Sequence, residues 1–252
     1  MMFMVAALQN LQWDNVEIHW AVSYKNDSDG DYYMDKLHKI MDAVGWKCSW
    51  KIHRCDITED ESQEPYRAII RNRRLLRSDF LDGDCDYFFM VGGDNPPWRN
   101  AIKRLMKFGA DVAFGVSHQR PKRDRYSPDS VYPMVWTYAW TMDELPDDLE
   151  PELYEEFWKT ALNVTLYLPL YVLPNWRRKK RMWGVAGGDG NCLIRREVLE
   201  NAGWTLPGKY GTSYGYHSED LHFFNKVNLL GYSTVVDLKY VVPHLHSDGS
   251  VF

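Results

Sequence analysis

Hydrophobic and polar positions in the first half of the chain follow two periods in turn. Residues 16–23 alternate and are rich in β-branched and aromatic types, which predicts a strand. A helical spacing of apolar residues follows and stops at Gly45, a typical helix end. The predicted order is strand 16–23, polar turn 25–31, helix 33–44, strand 46–54, helix 65–80, strand 86–91, helix 97–108 and strand 111–116. Strands alternating with helices predict an α/β fold, with a mainly parallel central sheet flanked by helices.

The pattern changes after about residue 121. The predicted order there is an acidic helix within 143–166, a glycine-rich segment at 184–194, helix 195–202, helix 219–230 and strand 232–242. No repeat or low-complexity linker separates these elements from the first half. The sequence therefore predicts a single domain over residues 1–252, with two halves, 1–125 and 126–252, that share one sheet.

Composition narrows the class of function. The 30 Lys and Arg residues against 35 Asp and Glu give a formal net charge of -5, which argues against a general nucleic-acid binder. The four cysteines show neither CxxC spacing nor a dense framework, so we expect reduced thiols in a cytoplasmic protein. The apolar start of the chain lacks the basic flank and cleavage site of a signal peptide. The basic run 177–181 favours a solvated or phosphate-contacting loop over contact with an anionic membrane surface.

Asp94 follows the predicted strand 86–91 within the segment VGGDNPP. Open α/β sheets bind ligands beside the carboxyl ends of their strands, and Gly92 and Gly93 leave the backbone there open to a bulky diphosphate. A carboxylate at this point can share Mg²⁺ or Mn²⁺ with phosphate oxygens. The segment on its own fits equally well a turn in which Asp94 caps helix 97–108.

Two later blocks carry further candidate groups. Ser218-Glu219-Asp220 opens helix 219–230, and this pattern is more often a helix cap than a base for an acceptor hydroxyl. His244 and His246 are alternate residues at the end of the last predicted strand, so both side chains face the same way. One neutral imidazole can complete an oxygen-rich metal shell, although a packing role fits these histidines equally well.

The order of these blocks resembles GT-A glycosyltransferases, in particular the family 2-like branch. The matching blocks run from about residue 8 to 246 and are Arg71-Asn72-Arg73, the strand and turn at 86–97, the segment 187–199, Glu219-Asp220, and the stretch from Gly231-Tyr232 to His244. Each block is degenerate singly, but five in the family's order are hard to obtain by chance. The resemblance implies a GT-A fold, with a nucleotide-sugar-binding half at 1–125 and an acceptor-binding half at 126–252.

The resemblance also implies a role for each matching residue. Asp94 looks like the last acid of the family's Asp-x-Asp metal motif, with His244, or as second choice His246, completing the metal shell. Asp220, with Glu219 beside it, looks like the acidic pair that supplies the base in inverting members. Donor contacts are implied for Arg71, Asn72, Arg73, Gly92, Gly93, Asp94, Gly187, Gly188 and Asp189. The implied reaction is the Mn²⁺- or Mg²⁺-dependent transfer of a sugar from a nucleoside diphosphate sugar to a glycan or other hydroxyl acceptor.

Two features depart from the family's pattern. Gly92 stands where the first acid of the metal motif is usual, so a catalytically silent nucleotide-sugar- or carbohydrate-binding module on the same fold stays open as an alternative. The family's first strand has little room before the helix-like residues 4–12, so either residues 1–7 form it or the base-binding edge is built differently. A nucleotidyltransferase ranks last, because its expected glycine-rich basic loop near the amino terminus is absent.

Overall fold

The computed structural model of the chain describes residues 2–13, 15–24, 27–46, 48–58, 65–119, 132–133, 135–139, 166–169, 178–188, 190–204 and 219–245. The helices and strands in these ranges are, in chain order, α1 (Met2–Gln9), β1 (Ile18–Tyr24), α2 (Asp27–Ala43), β2 (Trp50–Asp56), α3 (Pro65–Asp82), β3 (Tyr87–Met90), α4 (Ala101–Met106), β4 (Val112–Gln119), β5 (Tyr132–Pro133), β6 (Val135–Ala139), β7 (Leu166–Pro169), β8 (Arg181–Trp183), β9 (Val185–Gly188), β10 (Cys192–Arg195), α5 (Arg196–Asn201), α6 (Glu219–Leu229) and β11 (Thr234–Val242).

Strands β1 and β2 form a parallel two-stranded sheet with a helix against each face. One face is apolar, and Ile18 there packs with Leu37 and Met41 of α2. The opposite face lies against α3, where Asn72 Nδ2 donates a hydrogen bond to Ser23 Oγ at 2.8 Å. Because side chains alternate between the two faces of a strand, β1 presents apolar residues to α2 and polar residues to α3.

In the described ranges, six strands form the central sheet, in the order β3-β10-β4-β11-β8, with β5 paired to β4. Strands β4 and β11 are parallel. Strand β3 runs in the same direction as β4, because both are antiparallel to β10. Strands β5 and β8 are also antiparallel to their neighbours. The α/β class is confirmed, but the expectation of a mainly parallel sheet was wrong: the sheet is mixed.

The antiparallel strands come from the second half of the chain. Strand β10 lies between β3 and β4, so it brings residues 192–195 into the centre of a sheet that the first half begins. A third sheet, of antiparallel strands in the order β7-β6-β9, is separate from the central one. The four residues of β10 are too few for their apolar run to be distinguished from the glycine-rich segment before it or the helix after it.

The two faces of the central sheet carry separate apolar cores. On one face Phe114 packs with residues of α3, α5 and α6, among them Ile70 and Phe224. On the other face Tyr240 packs with Ala101 and Leu105 of α4. In the described part of the chain helices cover both faces, and the carboxyl ends of the strands are where open α/β sheets bind ligands.

Arg196, the first residue of α5, holds the carboxyl end of α3. Its guanidinium donates hydrogen bonds to four backbone carbonyls, those of Phe80 (2.9 Å), Leu81 (3.2 Å), Gly83 (2.7 Å) and Cys85 (2.8 Å). The last carbonyls of a helix have no partner within the helix, and the negative end of the helix dipole attracts a cation. Because Arg196 directly follows β10, these hydrogen bonds fix the end of α3 relative to that strand.

Four predicted elements differ from the structure at their starts, among them β2, which begins at Trp50 instead of residue 46. Residues 2–9 are helical, so the alternative in which residues 1–7 form the first strand was wrong. Helix α2 begins at Asp27 and includes part of the predicted polar turn, whose acidic residues suit the positive end of a helix dipole. Helix α4 begins at Ala101 instead of residue 97. Among the described residues, no helix is both long and apolar enough to cross a membrane.

Candidate active site

Asp94 lies in a turn at the carboxyl end of β3. The backbone N–H of Asn95 donates to the Gly92 carbonyl at 3.1 Å, which closes the turn. Gly92, Gly93 and Asp94 are all exposed. The next helix starts at Ala101, seven positions further on, so the alternative in which Asp94 caps that helix was wrong. The carboxylate is left available for another partner.

That partner is His244, which follows the carboxyl end of β11. Its Nε2 lies 2.9 Å from Asp94 Oδ2, across 150 positions of sequence. The backbone N–H of Leu245 also donates to the Asp94 carbonyl at 2.9 Å. The side chain of His244 is 14% exposed and that of Asp94 is 53% exposed. A carboxylate reachable from solvent therefore meets a largely buried imidazole at the edge where β3, β4 and β11 all end.

Tyr240 supports this arrangement from within β11. Asn191 Nδ2 donates to Tyr240 Oη at 3.0 Å, and the Trp98 ring meets the Tyr240 ring edge-on with centroids 5.1 Å apart. Burial raises the pKa of Tyr240 to about 12, against the opposing effect of its hydrogen bonds with Asn191 and the Trp98 backbone. The phenol is thus a buried, neutral connection between β11, the start of β10 and the segment after Asp94.

Three buried polar groups at or near this edge have no hydrogen-bond partner in the described part of the chain. They are Asn95 Oδ1, Ser117 Oγ and Asn191 Oδ1. Asn95 follows Asp94, Ser117 lies near the carboxyl end of β4, and Asn191 precedes β10. Buried polar groups without a partner are rare in native proteins, and ligand or water contacts are a common reason for them.

Asp220 and Arg73 form an ion pair between α6 and α3. Arg73 Nη1 lies 2.5 Å from Asp220 Oδ1, and both side chains are 19% exposed. Burial raises the pKa of the Cys192 thiol; the Asp220 carboxylate adds to this rise and Arg73 opposes it. The pair is therefore close to Cys192, which pairs with Met90 at the end of β3. The predicted base and a predicted donor-binding residue lie together, near the strand end that leads to Asp94.

The other predicted donor-binding residues are in several places. Asn72, on α3, is bound to Ser23 of β1, and the partly buried Arg71 is next to it on the same helix. Gly187 and Gly188 are in β9. A Cβ added at Gly188 would lie 2.2 Å from Cε2 of the buried Phe114 ring, so Gly188 permits a close packing contact. Asp189 and His246 lie outside the described residues, and of Glu219 only the backbone is described, as the first residue of α6.

A second group of ionisable side chains, not expected from the sequence, lies between the β1–β2 sheet and α3. It consists of His19, His53 and Asp79, which we call the histidine cluster. One ligand atom from each residue lies within 4.8 Å of the other two. Asp79 Oδ2 is 2.6 Å from His53 Nε2 and 3.1 Å from His19 Nδ1. The two imidazole rings stack with centroids 5.8 Å apart.

Charge and burial act together in the histidine cluster. Burial lowers the pKa of His53; the Asp79 carboxylate opposes this effect, and Lys51 adds to it. Burial alone would raise the pKa of Asp79, but the hydrogen bond from Lys51 and the two histidines hold it below its usual range. The cluster therefore combines an ionised carboxylate with a His53 imidazole that resists protonation.

The sequence held only a weak signal for this cluster. His19 and His53 occur in two predicted strands, but neither strand carries a known motif, and their register was not predictable. In the structure His19 lies beside Lys51 and Ala21 beside His53, so the two histidines are diagonal neighbours on one face. Asp79 comes from α3, and only the packing of that helix on the sheet brings it near.

Comparison with known proteins adds no relative. A scan against models of protein families gives no match, and a search of curated proteins finds none that is similar to this chain.

Proposed function

We propose that the chain is a metal-dependent glycosyltransferase with a GT-A fold, which transfers a sugar from a nucleoside diphosphate sugar to a hydroxyl acceptor. The observation that carries the proposal is the 2.9 Å approach of His244 Nε2 to Asp94 Oδ2 across 150 sequence positions. The resemblance assigned both residues to one metal ion. Nothing in their spacing along the chain requires them to meet.

The donor set fits a divalent cation. Neighbouring ligands of an octahedral ion with bonds of about 2.1 Å are about 3 Å apart, and the Asp94 and His244 atoms already have a separation of 2.9 Å. An imidazole beside a carboxylate favours Mn²⁺ over Mg²⁺, which prefers oxygen ligands alone. The exposed Asp94 carboxylate is also within reach of a diphosphate that shares the ion.

The polypeptide supplies the rest of the proposed site. When bound, the ion would offset the negative charge that grows on the departing diphosphate. Among the described residues, apart from the two chain neighbours of Gly93, no atom lies within 4 Å of a Cβ placed there, so this part of the chain leaves space for a phosphate beside the backbone. Asp220 accepts the proton of the acceptor hydroxyl if the enzyme inverts. A donor phosphate that attracts the Arg73 guanidinium would free Asp220 for this role.

Donor binding gives the direct test. We expect nucleoside diphosphate sugars to raise the melting temperature in the presence of Mn²⁺, because a ligand of the native state stabilises it. Asp94→Asn and His244→Gln should each weaken Mn²⁺-dependent donor binding by roughly tenfold or more, and should abolish transfer or hydrolysis. Asp84→Asn is the matched control, since Asp84 is an exposed carboxylate before the amino end of the same strand. Donor binding that is equal in all four proteins would refute the proposal.

A silent binding module is the second candidate, favoured by two observations. Gly92 replaces an expected acid, and Asp220 is held by Arg73 in an ion pair. This alternative predicts Mn²⁺-dependent donor binding with the same loss in Asp94→Asn, but no sugar transfer and no hydrolysis. Turnover of any nucleoside diphosphate sugar that depends on Asp220 rules it out.

A further inference from the structure

The histidine cluster is built from different elements than the proposed glycosyltransferase site. His19 and His53 come from β1 and β2, and Asp79 comes from the last turns of α3. Their side chains are 25%, 10% and 17% exposed, so all three are mostly buried yet in contact with solvent. Two imidazoles and a carboxylate that converge in this way are a common set of ligands for a catalytic or structural zinc ion.

We propose that the histidine cluster is a Zn²⁺ site, with His19 Nδ1, His53 Nε2 and the Asp79 carboxylate as its three protein ligands. Ligands around a tetrahedral zinc ion with bonds of about 2.0–2.1 Å are about 3.3 Å apart. The observed separations from Asp79 Oδ2 are 3.1 Å to His19 and 2.6 Å to His53. With all three ligand atoms within 4.8 Å of one another, the cluster is close to the size that a tetrahedral zinc ion requires.

Glu17 lies on the outer side of His19, away from the cluster. Its Oε2 lies 3.5 Å from His19 Nε2, the nitrogen that faces away from Asp79. Histidines that bind a metal through one nitrogen usually donate the N–H of the other to a carboxylate or carbonyl, which fixes the tautomer. With zinc bound to Nδ1, the His19 proton would be on Nε2, the nitrogen on the side of Glu17.

The donor types select the metal. Two imidazole nitrogens and one carboxylate oxygen suit zinc and other late first-row ions, whereas Ca²⁺ and Mg²⁺ prefer oxygen ligands alone. Three protein ligands leave a fourth position for water or a substrate atom. Zinc binding at this cluster does not depend on the glycosyltransferase proposal, which concerns Asp94 and His244.

Lys51 is the feature that opposes a cation. Its Nζ lies 3.0 Å from Asp79 Oδ2, so an ammonium occupies part of the space around the carboxylate. The Lys51 side chain is 57% exposed and can turn toward water when an ion arrives. Removing the Lys51 ammonium should therefore strengthen zinc binding. A substitution that only damaged the fold would weaken zinc binding instead.

The test is a Zn²⁺ titration of the full chain after treatment with a chelator. The zinc affinity is measured by competition with a colorimetric zinc indicator and by the shift in melting temperature. We expect His19→Gln, His53→Gln and Asp79→Asn each to weaken the zinc affinity at least about tenfold. Glu17→Gln should weaken it less, and Lys51→Met should strengthen it severalfold. Circular dichroism checks that each variant keeps its secondary structure.

Two histidines serve as matched controls. His244→Gln removes the imidazole beside Asp94, and His38→Gln removes one on α2 that packs near Trp50. Because the Asp94–His244 pair can also take Zn²⁺, the cluster variants are compared in the His244→Gln background. Neither His244→Gln nor His38→Gln should change the affinity of the histidine cluster itself for Zn²⁺. The proposal is overturned if zinc binds the His19→Gln/His53→Gln double variant as tightly as the wild type. It is equally overturned if the binding disappears in His244→Gln, or if Lys51→Met leaves the affinity unchanged.

Discussion

Tyr240 shows how one side chain can organise the candidate active site without touching a ligand. The phenol is tied to Asn191 by a hydrogen bond and to Trp98 by ring contact. Asn191 lies just before β10, and Trp98 follows the turn that carries Asp94. The ring contact with Trp98 therefore helps to hold the Asp94 turn near the end of β11, close to His244, and the buried hydrogen bond ties the start of β10 to the same residue.

We predict that Tyr240→Phe lowers the free energy of unfolding by about 1 kcal/mol, because the buried Asn191 amide loses its acceptor. The difference from the wild type should depend on pH. The folded pKa is raised to about 12, above the usual value of about 10, so the unfolded chain releases this proton first as the pH rises. The wild-type advantage is therefore complete below about pH 10 and is lost as the pH rises toward 12.

Urea unfolding of the wild type and Tyr240→Phe at about pH 8 and about pH 11 measures this difference. Comparing the two proteins at each pH removes the contribution of the other titrating groups. An advantage that is the same at both pH values would show that the Tyr240 hydroxyl is not buried in a neutral form.

Two glycines in the predicted ligand-binding segments differ in how closely other residues pack against them. Gly188 lets β9 approach the Phe114 ring of β4, whereas a Cβ at Gly93 would contact no atom of the described residues beyond its chain neighbours. We predict that Gly188→Ala destabilises the fold by about 1–3 kcal/mol through overpacking. Gly93→Ala should change stability by less than about 0.5 kcal/mol. Chemical denaturation of both variants checks the contrast, and an equal effect would contradict the close packing of β9 on β4.

Helices and strands with a clear periodic pattern of apolar residues were predictable from the sequence. Element boundaries that depend on tertiary contacts were not. Strands β1, β3 and β11 lie within about two residues of their predicted bounds, and α2 ends just before Gly45, which has a φ of 63°. Helix α4 starts late because Trp98 packs on Tyr240 and the Arg99 carbonyl accepts from the Gln12 N–H. No local pattern encodes contacts with residues so distant in the sequence.

Only those residues of the candidate active site that belong to recognisable sequence motifs could be proposed from the sequence. Asp94 and His244 were assigned to one site from the order of the blocks, and they lie 2.9 Å apart. The pairing of Arg73 with Asp220 was not expected, although both residues had been assigned. The histidine cluster was missed because it depends on the register of β1 with β2 and on the packing of α3, neither of which has a signature in a single sequence.

Unfolding of the whole molecule can be followed through its four cysteine thiols. Cys55 and Cys192 are buried, and Cys48 and Cys85 are half-buried. Burial raises the pKa of Cys48, Cys85 and Cys192. Since the thiolate is the reactive form, we predict slow alkylation of Cys48 and Cys85 near neutral pH and no alkylation of Cys192 until the central sheet unfolds.

Mass spectrometry after timed exposure to iodoacetamide measures this order. Addition of urea to the midpoint of unfolding is the internal control, because it should expose Cys192. Labelling of Cys192 at the rate of Cys48 under native conditions would contradict a closed central sheet.

Helix α3 carries a side chain of each proposed site. Arg73 is bound to Asp220 near the central sheet, and Asp79, six residues further along the helix, contacts the histidines of the two-stranded sheet. About 9 Å of helix axis separates the two positions. A substitution that tilts α3 should therefore weaken donor binding and zinc binding together. Variants with such paired defects would identify the helix, and not either site, as the part that is damaged.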